Sequence, residues 1–202
     1  LDVSQAIPRA HPWTVTSYDH EGGAYYDFIE HPELIPEVLE DFAPFEGETA
    51  VGVFYAFLAW LNGSDSLLET NDCALNPPLA EADMFRASLR IGGRVDIFYR
   101  DHRLNLVARS DAFGWLVRMF GLYLQTYRSD FSRGVITLGI RETHYVQLSE
   151  TECVGYRLSV NFHAYGDTEK EVWSNLTVVF EGIWEAAKRV CLAVEAPMPE
   201  FP

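Results

Sequence analysis

The chain has 202 residues, 48% hydrophobic and 14% aromatic, which excludes a disordered or fibrous protein and allows a sizeable core within a single domain, 1–202. Its net charge of −15, from 30 acidic and 15 basic side chains, disfavours nucleic acid and anionic membrane as partners. No apolar run approaches the roughly 18 residues that a membrane-crossing helix needs.

Residues 1–24 read as irregular, punctuated by Pro8, Pro12, Gly22 and Gly23. A helix is predicted over 33–42, with Pro32 in its first turn and Leu34, Val38, Leu39 and Phe42 as its buried stripe. The uncharged run 47–61, closed by Asn62-Gly63, predicts a helix buried on most sides. Strands are predicted over 67–75, ended by Asn76-Pro77-Pro78, and over 85–91 and 94–101, joined as a hairpin by a Gly92-Gly93 turn. Ser110 or Asp111 should cap an apolar helix over 111–127. A second hairpin is expected from strands 134–148 and 153–164. The last helix, 168–190, places Val172, Trp173, Leu176, Val179, Phe180, Ile183, Trp184, Ala187 and Val190 on one face, and Thr168 with Glu171 fits a capping box. Its partner surface should be the two strands just before it, with Trp173 and Trp184 buried against the sheet. The hairpin-then-helix unit occurs twice in this reading. The sum is an α+β fold, with a mostly antiparallel sheet built from hairpins and packed against apolar and amphipathic helices.

Motifs of chemistry are sparse. Cys73, Cys153 and Cys191 are odd in number and far apart, with no CxxC clamp, and read as free thiols. The six histidines form no HExxH or HxH pattern, and His144 and His163, on successive strands, would meet only in an offset register, so no metal or cofactor is expected. There is no GxSxG, GxGxxG or phosphate loop. The densest polar cluster is Tyr99-Arg-Asp-His-Arg103, where Asp101 could orient His102 as a general base; the plainer reading is a charged strand end running into a turn. A pocket between sheet and helices would draw on Asp101, His102, Glu142 and His144. Arg86, Arg90, Arg94, Arg100 and Arg157 fall on one strand face, where pairing with Asp96 and other acids, or with the acidic N-terminal segment, is the simplest account.

The charge is distributed very unevenly. Residues 1–80 hold 14 acidic side chains and a single basic one, Arg9, whereas 81–202 hold 16 acidic and 14 basic. A field of this kind favours a basic protein partner. No basic stretch followed by an apolar core marks a signal peptide, so a cytoplasmic location is expected, although a chain beginning with Leu1 is also compatible with loss of an upstream signal.

Through its size, acidity, hairpins and lack of catalytic motifs, the chain resembles the immunity proteins that neutralise secreted bacterial toxins. The resemblance implies a non-enzymatic, one-to-one complex with a basic toxin, often a nuclease, formed through an acidic surface. The acids that would make that surface are Asp19, Glu21, Asp27, Glu30, Glu33, Glu37, Glu40 and Asp41, with Tyr25 and Tyr26, and also Tyr18 and Phe28, as aromatic anchors. The alternatives are an enzyme or small-ligand protein and an assembly subunit. Monomer and homodimer are both compatible with the pattern.

Overall fold

Alternating stretches and helical stripes separate into two layers in the computed structural model, which describes residues 13–14, 28–80, 84–127, 133–145 and 153–195. Among these residues the elements are β1 (Trp13–Thr14), α1 (Ile35–Val38), α2 (Thr49–Leu61), β2 (Leu68–Ala80), β3 (Leu89–Tyr99), α3 (Ser110–Gln125), β4 (Gly134–Tyr145), β5 (Cys153–Gly166) and α4 (Glu169–Glu195). The strands form one antiparallel sheet in the order β1-β4-β5-β3-β2. The fold is α+β, and a hairpin followed by a helix does occur twice, as β2–β3–α3 and β4–β5–α4.

Strand register assigns the two faces of the sheet. Ile91, Val95 and Ile97 of β3, with Leu158, Val160, Phe162 and Ala164 of β5, share the inner face and are at most 1% exposed. The helices cover that face. α4 packs chiefly on β5, and also on β3 and β4, with α2 and α3 against it. Phe180 of α4 fills the centre, its ring centroid 4.6 Å from Phe54 of α2 and 4.9 Å from Phe162 of β5. The start of α4 is capped as its sequence requires. The Glu171 amide donates to Thr168 Oγ1 at 3.2 Å, and the Asp167 amide donates to the Glu171 carboxylate at 2.9 Å.

Several expectations are overturned, each for a local reason. Gly92-Gly93 is not a turn: both glycines lie within β3, and neither has a left-handed φ. They allow neighbouring strands to come close, because a Cβ on Gly92 would collide with the His163 ring and one on Gly93 would collide with the Ala74 carbonyl of β2. The chain turns earlier, at Phe85 and Arg86, whose φ values are 56° and 52°. β2 runs on through Pro77 and Pro78 because it is an edge strand, where a missing N–H can face away from the ladder. Its register shifts between Asn76 and Leu79.

The helix expected over 33–42 is broken into a 3-10 turn at Pro32–Leu34, then α1, then a second 3-10 turn at Ala43–Phe45. Leu39 leaves the helical region with ψ 70°, and Phe42 stacks on Phe54 at 4.8 Å. α2 is less enclosed than its uncharged sequence suggests, since Gly52 and Ala56 face solvent. α3 starts from Arg109 with no side-chain cap, so neither Ser110 nor Asp111 caps it.

Trp173 is buried in the core, with its ring 5.1 Å from that of Phe45. Trp184 is only half-buried, facing Phe57 at 6.4 Å with Lys188 Nζ 4.1 Å from its ring centroid. Within the N-terminal stretch, Trp13–Thr14 forms a strand paired with Tyr145 and His144. Residues 146–148 of the expected strand lie outside the described residues. Among the described residues no helix is long and apolar enough to cross a membrane.

Phe180→Ala removes the aromatic that joins α2, α4 and the sheet, and should cost about 3–5 kcal/mol. Trp184→Ala, at a half-buried position, should cost distinctly less. Denaturant titration of both variants checks the order.

Candidate functional site

The face of the sheet turned away from the helices carries a cluster of charges on β2, β3 and β5, among them Glu69, Asp72, Arg90, Arg94, Asp96 and Arg157. Register sets Asp72 of β2 directly opposite Asp96 of β3, a repulsive pair unless each finds a cation. Each does. Arg94 donates through Nε to Asp72 at 3.2 Å, and Arg157 Nε lies 3.2 Å from Asp96 Oδ2. Asp96 is 2% exposed. Burial pushes its carboxyl above the usual range, while the Ser159 hydroxyl and Arg157 pull it back down. Asp72–Arg94 is the exposed version of the same pairing. The arginine strip read from the sequence is thus reduced to Arg90, Arg94 and Arg157. Arg86 sits in a turn, and Arg100 Nη2 donates 2.7 Å to the Gly63 carbonyl just beyond α2.

His102 is not oriented by Asp101. The Asp101 carboxylate accepts from Arg103 Nε and Nη2, each at 2.8 Å, which holds it below the ordinary carboxylate range. His102 lies instead in a short 3-10 turn, with Nε2 2.8 Å from Oε1 of the buried Glu69. Its ring is wedged between Phe98 and Tyr145, each with its centroid at 5.3 Å. Local reading could not find Glu69, because only the Glu69–Phe98 register brings the start of β2 to the turn after β3.

A carboxylate-held imidazole could shuttle a proton. Among the described residues, however, His102 hydrogen-bonds no serine, threonine or cysteine, so no side-chain nucleophile is paired with it there. Cys73 is equally unsuited to attack, since burial pushes its thiol up to about 12.

The other candidate groups do not converge. His144 is opposite Val154 and His163 opposite Val135, far apart and on opposite faces of the sheet. Glu142 is exposed on the inner-face side, opposite Tyr156. No cluster of three metal-ligating side chains occurs among the described residues.

The acidic segment is better defined. Buried Leu34, Ile35 and Phe42 pin it to the core, and Glu30, Glu33, Glu37, Glu40 and Asp41 all face solvent. Glu33 contacts His31 at 3.1 Å. Glu37, Glu40, Asp41, Glu46 and Glu48 make no ion pair with any described residue. The sheet arginines are engaged elsewhere, so they do not neutralise this surface. Phe28 is half-buried against the core and is not a free anchor. Asp19, Glu21, Tyr25, Tyr26 and Asp27, with Tyr18, lie outside the described residues.

Beside this segment a cleft of about 630 Å³ runs between the start of α2 and the first half of α4. Glu48, Glu169 and Glu181 line it with Lys170, and Trp173 also contributes to its wall. Sequence reading missed its α4 side, although Glu169 and Glu181 stand off the apolar stripe and were visible as such.

Asp96→Ala should destabilise the fold by about 3–5 kcal/mol, because it strands Arg157, only 12% exposed, without its carboxylate. The titration has a defined sign. A carboxyl with a raised folded pKa binds protons more readily when folded, so stability attributable to Asp96 falls as pH rises from its unfolded value of 3.8 through the higher folded one. Carbon NMR of the Asp96 carboxyl against pH checks this. Comparison with protein family models, with curated proteins and with solved structures returns no match.

Proposed function

We propose that this protein is a non-enzymatic binder of a basic protein, acting as an immunity-type inhibitor whose acidic segment covers a positively charged toxin surface. The observation that carries this reading is the row of exposed carboxylates Glu37, Glu40, Asp41 and Glu46, none of which forms an ion pair with any described residue. Carboxylates left unpaired keep their field, and that field accelerates encounter with a cationic partner by about 10- to 1,000-fold at low salt. The adjoining cleft adds shape. Its mouth is acidic, with Glu48, Glu169 and Glu181 against one lysine, which suits an inserted lysine or arginine side chain. A nuclease toxin fits the same electrostatics, since its own phosphate-binding cleft is basic.

Replacing Glu37, Glu40 and Asp41 by lysine should leave the thermal unfolding temperature close to the parent's, because all three are exposed and none pairs with a described residue. Association with a basic partner recovered by pull-down from the native source should slow by at least about tenfold at low salt, and salt should narrow the gap. An on-rate unchanged by these reversals would leave the segment as a solvated face and end the proposal.

A further inference from the structure

A second groove lies at the other end of α4, and its chemistry is the reverse of the acidic cleft. Its volume is about 410 Å³, within the roughly 300–1,000 Å³ typical of small-molecule sites. Tyr99 at the end of β3, Leu104, Trp115 of α3 and Val194 of α4 give it apolar walls. Arg109 and Arg118 also line it.

Like Arg86 and Arg141, these two arginines have no carboxylate partner among the described residues, and here both line one groove. Arg94, Arg103, Arg133, Arg157 and Arg189 each lie beside a carboxylate. Arg109 and Arg118 are exposed and make no ion pair or hydrogen bond with any described residue, in a chain holding 30 acids. Asp111 lines the same groove and weakens its positive field, but it lies beyond ion-pair distance of either guanidinium. Asp111, Trp115 and Arg118 follow helical spacing along α3, which places the indole and the guanidinium on adjoining turns of one face.

We propose that this groove binds a small amphipathic anion, a free carboxylate with an apolar tail, whose head meets Arg109 and Arg118 and whose tail lies along Leu104, Trp115 and Val194. Guanidinium groups match a carboxylate in a bidentate fork. Inorganic phosphate would gain nothing from the apolar walls. An anionic bilayer would be repelled by a net charge of −15, so the ligand is a dissolved molecule.

The test uses the full chain, with decanoate as probe and decanol and decyltrimethylammonium as controls, followed by calorimetry and by NMR of the Trp115 indole. Decanoate should bind saturably at one per chain and shift the Trp115 signal. Both controls should bind at least about tenfold more weakly, the worth of a charge-assisted contact. Arg109→Gln/Arg118→Gln should weaken decanoate by at least about tenfold while leaving thermal unfolding unchanged. Trp115→Leu, which keeps both charges, should retain charge selectivity with weaker binding. Saturation absent below about 1 mM, equal binding of decanol, or undiminished binding to the double arginine variant would each overturn the proposal.

Discussion

Phe180 stands between Phe54 on one side and Phe162 on the other, and this three-ring contact ties both layers of the molecule together. The antiparallel sheet has one apolar face, which must be covered by something wide. α4 supplies the width because its buried apolar stripe runs from Val172 to Cys191 of a 27-residue helix. α2 and α3 are held through it, since both pack on α4 while α4 packs on the sheet. The broken segment 32–45 depends on the same cluster, because Phe42 stacks on Phe54 and Phe45 on Trp173.

The opposite sheet face is organised by charge. Burying Asp96 and Glu69 is expensive, and each is met at short range by one side-chain nitrogen group, the Arg157 guanidinium and the His102 imidazole. Such pairs add little net stability, yet breaking one leaves a charge that nothing solvates. They therefore specify register: a one-residue slip of β3 would send Asp96 into the hydrocarbon layer and leave Arg157 alone. Arg94 and Arg157 are in this way held by acids of the sheet, and Glu37, Glu40, Asp41 and Glu46 form no ion pair with any described residue.

α4 thus carries two surfaces of opposite character. Trp173 beside the acidic cleft and Val194 beside the arginine groove are separated by 21 helical residues, about 32 Å at 1.5 Å per residue. At that distance a basic protein at one end and a small anion at the other can be held together without touching. One rigid helix underlies both.

The sequence by itself determined the elements whose signal is periodic and local. The stripe from Val172 to Val190, the Thr168–Glu171 cap, the uncharged helix ending at Asn62 and the alternation of β5 all follow from spacing that any antiparallel or helical partner would satisfy. It also determined the charge asymmetry, which is simple arithmetic on side chains. Only the tertiary structure decided what the glycines and prolines meant. Gly92-Gly93 reads as a turn until His163 and the Ala74 carbonyl are seen to need the space, and Pro77-Pro78 reads as a stop until β2 is known to be an edge. It decided, too, that His102 belongs to Glu69 rather than to its neighbour Asp101, and that Arg109 and Arg118 share one groove. The physical reason is common to these cases. A backbone conformation or an ion pair settled by atoms far along the chain leaves no periodic trace in the residues that adopt it.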